Sequence, residues 1–268
     1  MEFFASFIKQ TIGNKSYQKN AVFYYHQALN HLAQFKHRFI KSIARCDLCN
    51  TLSDGKLLCT TCLHDTPHFI LPKGTRHLLL WPAIDKVFNN RKFDQLLCYA
   101  PYLWPYDTWL KQLKYQGRFE LAPLFAELLT LCWYQHLKQV QTDDYCDDIC
   151  VTCVPIHMNK WLKRGFNQAH LIAKRFAQMN HLTYQANMLS RVTEGNSQVG
   201  QSGAQRRKNL SNAFAVNPQY IPTYKHVVLI DDVITTGTTA NVISRILKKK
   251  GVEKVTILTV AISLPKDK

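Results

Sequence analysis

Four cysteines, Cys46, Cys49, Cys59 and Cys62, stand as C-x-x-C, nine residues, C-x-x-C in the segment CDLCNTLSDGKLLCTTC. A C-x-x-C turn holds two thiolates within reach of one ion, and two such turns complete the tetrahedral set that zinc takes in structural sites. The turn signal Ser53-Asp54-Gly55 between the pairs reverses the chain and brings them together. Four thiolates leave no open position, so a bound zinc ion would hold structure rather than catalyse. A redox dithiol and unrelated buried thiols are the alternatives. His64 and His68 are read as surface residues. Cys150 and Cys153 repeat the C-x-x-C spacing, but in an apolar strand, where side chains three apart face opposite ways. No metal site is expected there, and Cys98 and Cys132 read as small core residues.

The second chemical segment is Val227–Thr239, VVLIDDVITTGTT, followed by a helix carrying Val242, Ile243, Ile246 and Leu247. It reads as an apolar strand ending in two acids, then a Thr/Gly turn opening a helix. Ligands in open α/β sheets bind beyond the carboxyl ends of the strands. Backbone N–H groups of Thr235, Thr236, Gly237, Thr238 and Thr239 at a helix N-terminus would cradle a phosphate, with Gly237 permitting close approach. Asp231 and Asp232 are placed to accept hydrogen bonds from vicinal sugar hydroxyls. A bare Asp-Asp pair could be a cap and a solvated acid, but that leaves the five Thr/Gly positions downstream unexplained. The chain contains neither G-x-x-x-x-G-K-[ST] nor G-x-G-x-x-G, so a triphosphatase loop is excluded and a dinucleotide site is unsupported.

The elements that must position these residues alternate. Helix Glu120–Lys138, with a stripe of Leu121, Leu124, Phe125, Leu128 and Leu131, precedes strand ICVTCVP. Helix Gln168–Asn180, strand HVVLID, helix Ala240–Lys250 and strand VEKVTILTVAI follow. Strands alternating with helices of this length predict βαβ units and a parallel sheet. Residues 75–117 mix Trp, Tyr and Pro with short apolar runs. Residues 1–45 carry nine aromatics and seven Lys or Arg against the single acid Glu2, with a helical pattern over Tyr24–Ile40.

Composition narrows the class. Over 268 residues, 34 Lys and Arg against 18 Asp and Glu leave a charge of +16. Such an excess points to phosphate-bearing partners, solubility being the bland alternative. Between Ile149 and Ile230 there are ten Lys or Arg and one acid, Glu194. No run approaches the roughly 18–20 apolar residues of a membrane span. The N-terminus MEFFASFIKQ has no basic region followed by an apolar one, so no secretory signal is expected. Nine cysteines without a signal fit a reducing compartment, so a cytoplasmic protein is expected.

VVLIDDVITTGTT resembles the phosphoribosyl-pyrophosphate signature of type I phosphoribosyltransferases. With VPIHMNKWLKRGFNQA (154–169), QVGQSGAQRRKNLSNAF (198–214), WLKQLKYQGR (109–118) and the four-Cys segment, the chain resembles the ComF-like (ComFC or GntX-like) competence proteins over residues 45–263. The resemblance implies a type I phosphoribosyltransferase-like α/β fold, a parallel sheet with flanking helices, behind a small zinc ribbon. The implied domains are an N-terminal extension (1–45), the ribbon (46–66) and the phosphoribosyltransferase-like domain (75–268). Within the last, 75–117 would be a hood or insertion and 118–268 the core. Asp231 and Asp232 would be the ribose ligands, Thr235–Thr239 the phosphate cradle, and magnesium would bridge pyrophosphate and ribose.

Lys163 and Arg164, in the loop after ICVTCVP, would meet the pyrophosphate, and Arg206 and Arg207 would lie in a mobile loop closing over the ligand. The implied partners are phosphoribosyl pyrophosphate, single-stranded DNA and other DNA-uptake proteins, in natural transformation. Trp81, Tyr99, Tyr102, Trp104 and Trp109 are candidate base-stacking residues. The alternative is a working phosphoribosyltransferase acting on a nucleobase or amine, with Asp231 and Asp232 steadying charge on the ribose.

Overall fold

The runs ICVTC, HVVLI and KVTILTVAI are rich in β-branched residues and have no polar face, the pattern of parallel strands covered on both sides. The computed structural model describes residues 44–139, 148–192 and 213–264, with the backbone alone at 221–223. The expected helix Tyr24–Ile40, most of Gln198–Phe214 and both Arg206 and Arg207 lie outside the described residues. The chain divides between Thr66 and Pro67 into two compact units.

In the first unit, Arg45 and Leu52 form an antiparallel bridge and the short helix α1 (Thr60–Asp65) follows. The second unit is built on a five-stranded parallel sheet, β1 (Gln95–Pro101), β7 (Lys254–Ile262), β6 (His226–Ile234), β2 (Ile149–Cys153) and β3 (Thr183–Tyr184), in that spatial order. Its helices are α2 (Pro82–Val87), α3 (Tyr106–Gln116), α4 (Leu121–Leu137), α5 (Met158–Arg164), α6 (Gln168–Met179) and α7 (Thr238–Lys249). A separate antiparallel ribbon pairs β4 (Leu189–Arg191) with β5 (Phe214–Val216). Within residues 75–117, β1 pairs in parallel with β7 at one edge of the main sheet.

Helix α4 departs from the expected stripe. Leu121, Leu124, Phe125 and Leu128 are buried, but the buried face continues through Leu129, Cys132, Trp133 and His136. Leu131 points to solvent because the fully buried face turns past it. Cys98, Cys132, Cys150 and Cys153 are buried, and burial pushes the Cys150 and Cys132 thiols up to about 12. They are core residues.

At the amino end of the sheet, Thr256 donates its hydroxyl hydrogen to Gln95 Oε1 at 2.9 Å. It therefore accepts from His226 Nε2 at 2.8 Å, which places a hydrogen on that nitrogen of His226. Burial, then the charge of Lys254, lowers its pKa to about 3. In the unfolded chain it takes a proton near pH 6.5, so the unfolded state binds more protons as pH falls below that value. Unfolding in urea at pH 5 is thus expected to reveal about 2 kcal/mol less stability than at pH 7 from this residue. In His226→Gln that pH sensitivity shrinks; an unchanged difference would remove His226 as its source.

Candidate functional site

From β2 the chain crosses to β3 on one side, and from β6 to β7 on the other, so the crevice between the carboxyl ends of β2 and β6 is a topological switch point. Val154 leaves β2 there with its N–H on Ile230 O at 2.9 Å. Strand β6 does not end at the two acids but runs on to Ile234, pairing Asp231 with Thr259 and Val233 with Ala261. The acids therefore leave the strand on opposite faces.

Asp231 Oδ1 accepts the N–H of Asp232 at 2.9 Å. Asp232 is buried, ion-paired with Lys114 and hydrogen-bonded by Gln168 Nε2 at 3.4 Å. The Asp231 carboxyl is held well above the usual carboxylate range, first by loss of water around it and then by the charge of Asp232. Protonation is thus favoured at Asp231, and Lys114 lies against Asp232 as its counter-charge.

After β6 the chain turns through Thr235, Thr236 and Gly237 into α7. Gly237 is the N-cap of this 12-residue helix, at φ +68°. A Cβ there would stand 2.8 Å from the Phe88 ring. Thr236 and Thr238 share a hydroxyl hydrogen bond of 2.8 Å. The first N–H groups of α7 have no partner within the helix and point out of its end. A small cavity of about 80 Å³ lies between Asp231, Val233 and the Thr235–Thr239 turn.

Asp231 and Thr239 also line a larger, mainly polar cavity of about 270 Å³, together with Asp232, Lys114, Lys160 and Arg164. The structure thus brings Asp231, Asp232, Thr239 and Arg164 together, and it sets the remaining Thr/Gly residues around the adjoining 80 Å³ space. Lys163 and Arg164 lie in the last turn of α5, not in a loop. Lys163 faces a different cavity from the carboxylates.

Lys114 and Lys160 were not singled out by the sequence. Lys114 had one signal: α3 buries Tyr106, Trp109, Leu110 and Leu113, so position 114 flanks the buried stripe. Among the proposed stacking residues, Tyr99 and Trp109 are buried in aromatic packing with Tyr106 and present no free face, whereas Trp104 is exposed.

In the first unit, Lys56 N closes a turn on Ser53 O at 3.0 Å, and Ser53 Oγ donates to Lys56 O at 2.6 Å. This brings the Sγ atoms of Cys46, Cys49, Cys59 and Cys62 within 4.8 Å of one another. Cys49 and Cys59 are 3.6 Å apart, against an edge of about 3.8 Å for a zinc tetrahedron with 2.3 Å bonds. Hydrogen bonding by Thr51 lowers the Cys49 thiol to about 6, while hydrogen bonding with Cys49 raises that of Cys62, so without an ion the four sulfurs do not all ionise together. The cluster fits a metal ion such as zinc. Its surroundings cannot hold it alone, because among the described residues 44–66 only Cys46, Ser53, Leu58 and Thr66 are buried. Elemental analysis is expected to find one zinc per chain, and Cys59→Ser to lose it and open residues 44–66 to protease. A metal-free chain equally resistant to protease would contradict this.

A parallel sheet whose switch-point crevice carries two acids ahead of a Thr/Gly turn defines a phosphoribosyltransferase-type protein. A model of the phosphoribosyl transferase domain matches residues 162–267. Similarity to named proteins extends further along the chain. "Competence protein F" of Haemophilus influenzae is 33% identical over 170 residues, 62% of this chain and 71% of that protein. "DNA utilization protein YhgH" of Escherichia coli K12 is 29% identical over 214 residues, 79% of this chain and 87% of that protein. The Salmonella typhimurium protein of the same name is 28% identical over 168 residues, 62% of this chain and 70% of that protein. The chain belongs to the family of Competence protein F. Among the described residues, no helix is long and apolar enough to cross a membrane.

Proposed function

We propose that this protein binds phosphoribosyl pyrophosphate with magnesium at the β2/β6 crevice and handles single-stranded DNA in the cytoplasm during natural transformation. The observation that carries the ligand is the arrangement around β6: two carboxylates, then a turn of Thr and Gly that opens α7 toward the same space. Thr235–Thr239 and the free N–H groups of α7 hold the 5′-phosphate. Asp231 and Asp232 accept from the ribose hydroxyls. Lys114, Lys160 and Arg164 face the pyrophosphate, and Lys114 is also the ion-pair partner of the buried Asp232.

A magnesium ion held by the ligand's phosphates and a carboxylate fits Asp231, an acid that lines both cavities of the crevice. Bound there, it would supply neutralising charge to the pyrophosphate. The names of the relatives, one a competence protein and the others DNA utilization proteins, support the cellular role.

Turnover is the second reading, favoured by the four cations that share the cavity with the carboxylates, Lys114, Lys160, Arg164 and Arg191, which would stabilise a departing pyrophosphate. Release of pyrophosphate on addition of a nucleobase or amine would establish it.

Thermal unfolding tests the ligand. At a hundredfold excess over Kd, a ligand that binds only the native state adds about 2.7 kcal/mol. For a unit of this size, that is a rise in Tm of about 5–10 °C. The rise is expected only with phosphoribosyl pyrophosphate and magnesium together; the same Tm with and without them would contradict the reading.

A further inference from the structure

Beyond Arg164 the crevice adjoins a second cavity of about 470 Å³, to which the phosphoribosyl reading assigns no ligand. Two helix ends build its wall. Helix α3 stops at Gly117, and Arg118 then braces the turn, donating to Gln112 Oε1 and to Glu120 Oε1, both at 2.8 Å. This holds the Phe119 ring outward, 51% exposed. Helix α5 stops at Gly165 and delivers Phe166, whose ring meets Phe119 edge to face at 4.9 Å. Tyr115 is the third ring, 70% exposed. The Arg164 guanidinium lies 4.9 Å from its centroid and donates to its hydroxyl at 3.0 Å. Lys114, Lys160, Lys163 and Arg164 line it too, and among the described residues no carboxylate does.

Each feature alone has an ordinary explanation. Lysines on a surface are solvated, and a lone exposed aromatic is common. Here three rings and four cations share one open cavity, in a protein of charge +16. Rings offer faces to a planar base, while ammonium groups offer partners to a phosphate. An acidic peptide would use the cations and leave the rings idle; a sugar phosphate would do the same. A nucleotide uses both, and a strand entering from solvent needs an open cavity rather than a closed one.

We propose that this cavity takes one nucleotide of a single-stranded nucleic acid, its base against Tyr115 and the Phe119–Phe166 pair and its phosphate between Lys160 and Lys163. The proposal rests on the DNA-handling reading for its choice of partner. It does not require phosphoribosyl pyrophosphate to be bound next door.

The test is fluorescence anisotropy of a labelled oligothymidylate with the full chain, without phosphoribosyl pyrophosphate or magnesium. Failure of the neighbouring site therefore leaves the result readable. Phe119→Ala is expected to weaken binding tenfold or more. Lys163→Gln is expected to weaken it and flatten the dependence of log affinity on log salt by about 0.7. Both side chains are exposed, so the fold does not depend on them. Tyr134→Ala, an exposed aromatic on α4 away from the cavity, should bind like the wild type. Thymidine 5′-monophosphate should compete only far more weakly than the oligonucleotide. Unchanged affinity in both cavity variants would overturn the site. Equal competition by the mononucleotide would overturn the strand as its ligand, and equal competition by polyglutamate would overturn recognition of a base.

Discussion

Asp231→Asn/Asp232→Asn is expected to lower the affinity for phosphoribosyl pyrophosphate with magnesium at least a hundredfold. Each carboxylate is proposed to accept a charge-assisted hydrogen bond, worth about 1.5–3 kcal/mol. Two of them together span roughly a hundred- to ten-thousandfold. The fold should survive, since Asn matches Asp in shape and the Gln168 contact to position 232 persists. The ion pair with Lys114 is lost, which leaves that half-buried ammonium without its counter-charge, so a small drop in stability should accompany the loss of binding.

The same pair predicts a pH dependence. Asp231 holds its proton above the usual carboxylate range because its carboxyl is shielded from water beside Asp232. A ligand that needs Asp231 ionised must displace that proton, so affinity in the wild type should rise as pH increases toward the raised pKa. It should fall as pH decreases below it. Asp231→Asn, with no proton to displace, should bind weakly and without that slope. A double variant that binds as tightly as the wild type would remove the carboxylates from the account.

Gly237→Ala is expected to have the largest effect on stability of any single-methyl change near the site. Its backbone has φ +68°, which costs an L-residue about 1–2 kcal/mol. The added Cβ would also stand 2.8 Å from Cδ1 and Cε1 of Phe88, a buried ring packed edge to face on Phe93. Overpacking of this kind costs about 1–3 kcal/mol. Urea unfolding should therefore show a loss of about 2–5 kcal/mol, the sum of the two ranges. Binding of the phosphate ligand should fail as well, because relief of the clash must move the turn that opens α7. Adding Phe88→Leu to Gly237→Ala should recover part of the steric cost and none of the backbone cost. Unfolding midpoints within error of the wild type would show that the turn yields freely.

The features legible in the sequence were those built by neighbours along the chain. The four-Cys cluster needs only two C-x-x-C turns and one chain reversal, all within Cys46–Cys62, and these residues do come together. The strand–turn–helix around Asp231 and Gly237 is likewise local, and β-branched runs alternating with amphipathic helices were enough for a parallel sheet. Features that depend on distant packing were not legible. Lys114 reaches Asp232 across more than a hundred residues, because α3 and β6 meet only in the folded unit.

Lys163 and Arg164 are adjacent in sequence and share the 470 Å³ cavity, but only Arg164 also lines the cavity of the carboxylates, since consecutive helical positions are rotated by about 100°. Tyr99 and Trp109 looked available for stacking, yet their neighbours in β1 and α3 enclose them. The exposed rings Tyr115 and Phe119 lie at a helix end whose outward turn depends on the Arg118 brace. No periodicity reports that.

The most direct test of the central claim is calorimetric titration of phosphoribosyl pyrophosphate into the zinc-loaded wild-type protein, with and without magnesium. Saturable binding at one site per chain that requires magnesium is the predicted result. A folded, zinc-loaded protein that releases or takes up no heat with magnesium present, at several temperatures, would contradict the assignment of the β2/β6 crevice to this ligand.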